Sequence, residues 1–377
     1  MRSAIENTRY FQIRSRADYL IQSRNANAAT PVKAVDITID GTCVHVLGEA
    51  NERDGIMGAL SRLAICAMVL LGQQCGSGNA DDLLKIAVGM HGNWEDAAPD
   101  MGTRAGIFQR HGMKLELLYT RGAGEALQAV ISGSVDIGVG VGTAGVMAAF
   151  TRGAPVRVIG SATTGTNDIY WYVRADSPIR TLTDAKSDTS ISYSTAGSAT
   201  NFFVIGLMRV NNIQAKPTAT GDMQSTLTQV MTGQIDVGFA APPFGMLQLD
   251  EGKIRIVARA SDILSTRNQT VRTLIVNANK LAQNEELIGR FVQAYAETID
   301  WMYSDPRALD AYREYSGTPE RFTRRVMQDF YLKDMLDPYR ISGLDAVMED
   351  AINFKFLRQP LSEAQLSELF QVPARAK

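Results

Sequence analysis

The chain has 377 residues, 45% hydrophobic and 21% charged, which provides apolar surface for two or three cored domains and excludes a mainly disordered protein. With 38 Lys and Arg against 40 Asp and Glu, no basic excess exists to neutralise a phosphate backbone, so nucleic-acid binding is excluded as the main activity. The 3 cysteines and 3 histidines exclude a disulfide scaffold and a His-rich metal centre.

All the cysteines, Cys43, Cys66 and Cys75, lie in the first 75 residues. Ala34–Ile39 and Thr42–Leu47 alternate around Asp40-Gly41, a hairpin signal. Leu63 to Leu71 (LAICAMVLL) is too short to cross a bilayer, which takes about 20 residues, but it fits the apolar segment of a secretory signal. Met57 and Arg62 precede it, and Gly78 and Ala80 are spaced like the small residues of a cleavage site. Residues 57–80 therefore read as a signal peptide, with a buried helix as the alternative. Residues 1–56 read as an upstream extension, with Met57 as the expected start and export to the periplasm as the expected destination. Gln73 and Gln74 make Cys75 a poor lipid-attachment site.

From Asp81 onward strand and helix patterns alternate. Strands are predicted at Leu83–Val88, Met113–Tyr119, Val135–Gly138 and Val156–Ser161. Helices are predicted between them at Ala97–His111, Glu125–Ser132 and Ala144–Thr151. This order predicts an α/β fold with a mostly parallel, doubly wound sheet. The second stretch has predicted strands at Ile169–Val173, Thr189–Ser194, Gln214–Ala219, Ile235–Phe239, Ile254–Ala258 and Val271–Ile275. Its helices are predicted at Ala199–Val210, Thr226–Met231 and Phe244–Leu249. After Asn284 the pattern is helical nearly to the end, broken at Asp305-Pro306 and Thr318-Pro319. Two segments echo each other, LQAVISGSVDIGV from Leu127 and LTQVMTGQIDVGF from Leu227, each a helix, a glycine cap and a strand opening apolar-Asp-apolar-Gly. The echo predicts two similar lobes, one built from 81–164 with 264–377 and the other from 165–263.

The segments LLKIAVG, GIFQRHGMKLEL, ALQAVISGSVDIGVG, GAPVRVIGSA and LTQVMTGQIDVGFAAPPF resemble the nitrate/sulfonate/taurine-type substrate-binding proteins of ABC importers. The resemblance covers about Leu83 to Ser304. It implies two α/β lobes of the type II periplasmic-binding-protein kind, joined by crossing strands, with hinge closure over a small-molecule ligand. It also implies an importer permease as partner, no cofactor and no catalytic activity, with the chain acting as a monomer.

In open α/β sheets ligands bind beyond the carboxyl ends of the strands, where helix N-termini present free N–H groups. The loop Gly89–Trp94 offers His91, Asn93 and Trp94; Trp94 can stack on a planar ligand or pack under the lobe edge. The loop Arg121–Gly124 offers Arg121 and Gly122, and the loop Gly140–Thr143 offers Gly142 and Thr143, the latter a ligand contact or an N-cap. The segment Ser194–Thr200 carries Ser194, Thr195, Gly197, Ser198 and Thr200, the strongest anion-cradle signal in the chain. By resemblance Ala241 and Pro242 close the far wall, and Tyr170 can line the cleft or the core. A small organic anion with an apolar body, a sulfonate or an aromatic carboxylate, is the expected ligand. Pairs such as Glu95-Asp96 read as solvated turn residues.

Two rival functions follow from the fold type. A pyrimidine-precursor enzyme of this fold needs a cysteine-rich segment by family likeness, and no cysteine follows Cys75. A sensory domain needs a separate membrane partner. No nucleophile elbow or dinucleotide fingerprint is present, and no ligand spacing suggests a metal.

Overall fold

The computed structural model describes residues 81–375 and four strands upstream of them, and the chain divides into two units, 1–78 and 79–377. In the first unit β1 (Tyr10–Ile13) pairs antiparallel with β2 (Tyr19–Gln22), and β3 (Lys33–Ile39) pairs antiparallel with β4 (Thr42–Gly48). Ile39 lies opposite Thr42, the register of the hairpin expected around Asp40-Gly41. The expected signal peptide at 57–80 and Cys75 lie outside the described residues.

The second unit holds two sheets of matching design. The first has the order β6-β5-β7-β14-β8, formed by β5 (Asp82–Val88), β6 (Met113–Tyr119), β7 (Ile137–Gly142), β8 (Val156–Thr164) and β14 (Thr270–Asn277). The second is assembled from β9 (Tyr170–Arg174), β10 (Ser190–Tyr193), β11 (Lys216–Ala219), β12 (Gly238–Ala240) and β13 (Ile254–Arg259). There β12-β9-β13 forms one ladder and β10-β11 another, and a parallel bridge from Ile191 to Val237 joins them. The resulting order β11-β10-β12-β9-β13 repeats the first sheet strand for strand.

The expected mostly parallel sheet needs one correction in each half. β14 runs antiparallel to β7 and β8, and β9 runs antiparallel to β12 and β13. Each is the strand on which the chain arrives from the other sheet, so it enters from the opposite end. β5, β7 and β14 are buried along most or all of their length. That explains their mainly apolar composition, since strands buried on both faces do not alternate apolar with polar residues.

The expected helix Ala97–His111 is two, Ala98–Arg104 and Ile107–Arg110, because Gly106 between them adopts a left-handed φ of 68°. The C-terminal region is less continuously helical than expected: 337–343 and 355–361 carry no helix. Segment 344–356, expected with the first lobe, also packs on the second. Phe354 meets Phe202 with ring centroids 4.9 Å apart, and Arg209 donates to the Asn353 carbonyl. Among the described residues no helix is long and apolar enough to cross a membrane.

Candidate functional site

The segments after β5, β6, β7 and β10 converge where the two sheets meet. Glycine allows the approach. A Cβ on Gly124 would lie 2.1 Å from the Ala196 carbonyl oxygen, and one on Gly145 would lie 2.1 Å from that of Gly197. A Cβ on Gly142 would lie 2.6 Å from the Ala199 nitrogen, and one on Gly122 would meet Thr195 Oγ1 at 2.7 Å. The Gly124 amide donates to Thr195 Oγ1 across the gap at 3.0 Å. The lobes therefore stand in backbone contact.

Between these contacts lies a cavity of about 30 Å³, room for roughly two water molecules. Met90, Asn93, Asp96 and Arg272 line it from the first sheet, facing Ser194, Ser198, Thr200 and Met223 from the second. On the second side Thr200 Oγ1 is a hub. It accepts from the Ser194 amide at 2.9 Å and stands 3.0 Å from both Ser194 Oγ and Ser198 Oγ. Ser198 also caps the helix Ala199–Val210 by accepting from the Asn201 amide at 3.1 Å. The Gly197 amide is taken by Asn201 Oδ1 and the Ser198 amide by the Thr195 carbonyl. Three amides of this segment, those of Ser194, Gly197 and Ser198, are thus bonded within the loop, as is that of Asn201 just beyond it.

The first-sheet side is ionic. Arg272, on β14 and 7% exposed, places Nη2 at 2.7 Å from Asp168 Oδ2 and 2.9 Å from Glu95 Oε2. Asp96 stands beside this trio, 5% exposed, with Oδ1 lacking a hydrogen-bond partner, and Asn93 Oδ1 is also unpartnered at 3% exposure. Gly140, at φ 74°, is required here: a Cβ on it would sit 2.4 Å from Asp96 Oδ1. Burial pushes the Glu95 carboxyl up to about 8 and the Asp96 carboxyl up to about 7, against the pull of Arg272. Asp168 and Glu95 keep the guanidinium charged in spite of its burial.

Of the sequence-predicted residues, Asn93, Ser194, Ser198 and Thr200 line the cavity, and Gly122, Gly142, Thr195 and Gly197 form the lobe contacts around it. Others stand elsewhere. Trp94 is fully buried in the first core, donating Nε1 to the Tyr303 hydroxyl at 3.1 Å and packing edge-on to Tyr312. His91 meets Tyr119 edge-on and lies tilted against Tyr315, outside the cavity, and burial lowers its pKa. Thr143 does not cap its helix; its hydroxyl donates to the Thr270 carbonyl at 2.7 Å. Tyr170 is core and donates to the Phe244 carbonyl. Arg121 is exposed at the rim, its guanidinium against Gly221 of the second lobe. Ala241 sits behind Met223, donating its amide to the sulfur, and Pro242 is buried next to it.

Glu95, Asp96, Asp168 and Arg272 are the residues that sequence reasoning missed, and the solvated turn expected of Glu95-Asp96 is corrected to a buried ionic cluster. An arginine inside the apolar strand VRTLI was the available signal, because a buried guanidinium requires carboxylates nearby. Among the described residues no group of three or more His, Cys, Asp or Glu side chains is arranged to hold a metal ion.

A family model described as NMT1/THI5 like matches residues 101–309. The alkanesulfonate-binding protein SsuA from Xanthomonas axonopodis pv. citri, bound to MOPS, superposes with TM-score 0.65 at 15% identity, over 79% of this chain and 100% of its own. The periplasmic nitrate-binding protein NrtA from Synechocystis PCC 6803 superposes with TM-score 0.59 at 12% identity, over 77% of this chain and 86% of its own. The desulfurization enzyme DSZB superposes with TM-score 0.53 at 15% identity, over 75% of this chain and 95% of its own. At these identities the likeness shows the shared two-lobed α/β fold. No curated protein sequence matches the chain.

Proposed function

The chain belongs to the NMT1/THI5-like family, and on that premise we propose that it is an exported solute-binding protein that closes over a small molecule and delivers it to the permease of an ABC importer. The observation that carries this reading is the cavity itself. Polar side chains from both sheets face each other there, and the lobes touch around it through glycines. A ligand can favour the closed state only through contacts it makes in that state and not in the open one. Asn93 and Asp96 on one wall with Ser194 and Thr200 on the other supply such contacts.

The enzyme reading predicts chemistry at the same place. The described second unit has no cysteine to act as nucleophile. Its buried hydroxyls on the second wall are tied to one another, with no histidine among the cavity residues to activate them. Small-angle scattering and mass spectrometry on the same solute-treated sample separate the two readings. Saturable compaction with the solute recovered intact supports capture, and a converted solute overturns it.

A further inference from the structure

We propose that the two lobes close by taking up a proton on Asp96, so that the closed cleft is favoured at neutral and acidic pH and alkaline pH parts the lobes. The linkage goes beyond the capture reading, because it needs only lobes that can separate, whatever the cleft does with its solute.

The geometry supplies an excess of acid. Asp168 and Glu95 stand 2.7 and 2.9 Å from Arg272 Nη2, and Asp96 adds a third carboxyl beside that one guanidinium. Each of the three has an oxygen without a hydrogen-bond partner: Glu95 Oε1, Asp96 Oδ1 and Asp168 Oδ1. Fully ionised, the cluster would set three negative charges against one positive, and its oxygens could only accept hydrogen bonds. A proton cancels one charge and turns one acceptor into a donor. Asp96 is held in this cluster by β7, where a Cβ on Gly140 would lie 2.4 Å from its Oδ1.

Lobe movement acts on Asp96 in particular. Of the three carboxyls it alone lines the cavity between the sheets; Glu95 and Asp168, 1% and 0% exposed, are not on that wall. With the sheets together the cavity measures about 30 Å³, room for roughly two water molecules, so a carboxylate there is left nearly unhydrated. When the sheets part, the wall opens to solvent and the carboxylate regains its water.

The groups facing Asp96 leave it without a counter-ion of its own. Glu95 comes from the same loop, Asp168 from the segment between β8 and β9, and Arg272 from β14, already paired with both. Tyr119 at the end of β6, Tyr295 on the helix Glu285–Ser304 and Tyr315 on the helix Arg307–Ser316 stay neutral, since burial raises all three hydroxyls. The second sheet presents Ser194, Ser198, Thr200 and Met223, and no charged side chain among the described cavity residues. No cation therefore crosses the closed cleft to stabilise the carboxylate. Burial accordingly raises the Asp96 carboxyl to about 7, against the pull of Arg272, from an ordinary value near 4 in water. The closed state thus holds a proton that the open state releases, and above about pH 7 the balance shifts toward the open state about tenfold per pH unit.

The test uses the full chain free of solute, with small-angle scattering and circular dichroism from pH 6 to pH 9. The expected result is a radius of gyration that rises with pH while the far-ultraviolet spectrum stays constant. Asp96→Asn is expected to keep its compact value across the range, and Glu95→Gln to expand like the wild-type chain. In the wild-type chain the infrared band of a protonated carboxyl is expected to fade as the chain expands. A radius of gyration that does not change with pH overturns the inference, as does an Asp96→Asn variant that expands like the wild-type chain. Expansion with no loss of that infrared band overturns it even if Asp96→Asn does not fold. The capture reading stands or falls separately, on the fate of the solute.

Discussion

Asp136 and Asp236 do the same work in the two halves of the molecule. Asp136 Oδ2 accepts from the Lys85 amide of β5 at 2.9 Å, and Asp236 Oδ2 accepts from the Ser190 amide of β10 at 2.8 Å. β5 and β10 are equivalent strands of the two sheets, and the glycine caps before the aspartates, Gly133 and Gly233, share φ values of 74° and 76°. The sequence echo is thus one device used twice: a left-handed cap ends the helix, and the aspartate then ties the first strand of its sheet to the incoming one. Asp136→Ala and Asp236→Ala are each expected to destabilise the protein by about 1–2 kcal/mol. The pair shares no partners, so the double variant should lose close to the sum in urea unfolding.

Lobe contact should be separable from lobe folding. Gly145→Ala places a Cβ against the Gly197 carbonyl, a backbone atom that cannot swing aside. The expected outcome is a protein with near-normal circular dichroism whose radius of gyration no longer falls when solute is added. An unchanged compaction would mean that the two backbones separate readily at this point.

Trp94 belongs to stability. Trp94→Ala removes a fully buried ring packed on Tyr303 and Tyr312 and orphans the Tyr303 hydroxyl from its indole donor. A loss of about 3–5 kcal/mol is expected by chemical denaturation, in contrast with Thr200→Val. That substitution removes the hub of the Ser194–Ser198 network, and its expected main effect is weaker solute affinity in calorimetry.

The ionic cluster makes stability depend on pH in a defined direction. The folded carboxyl pKa of Asp96, about 7, lies above its ordinary value near 4. The folded state therefore holds a proton that the unfolded state releases. The stability tied to that proton is complete below about pH 4 and declines as pH rises to about 7. Asp96→Asn removes this dependence, so its Tm advantage over the wild-type protein should widen between pH 5 and pH 8 when both are free of solute. Arg272→Leu should act oppositely. It leaves Glu95 and Asp168 without their counter-ion and is expected to cost about 3–5 kcal/mol at neutral pH.

The fold was legible where burial is written in local pattern. β5 and β14 are covered on both sides and read as apolar runs, and Ala199–Val210 was bounded correctly because Ser198 caps it and the polar Asn211-Asn212 ends it. β12 begins at Gly238, three residues later than expected, where its pairing with β9, nearly 70 positions earlier, starts. At the site, the hydroxyl-rich loop 194–200 announced itself through composition. The ionic wall did not. Nothing beside Glu95-Asp96 distinguishes a buried carboxylate from a solvated one, since the deciding partner, Arg272, lies far along the chain and 104 residues from Asp168. Trp94 and Tyr170 stay open between cleft and core for a related reason: an aromatic near a strand end reads alike whether it faces a groove or a core.

The segment running from Leu344 to Phe370 has a mechanical corollary. One end grips the second lobe through Phe354 and Asn353, and the other is stitched to the first through the Val158–Phe370 bridge. Such a tether has finite slack, so any relative movement of the two lobes goes only as far as it pays out. Shortening or loosening it would reset that limit without altering a single residue that lines the cavity.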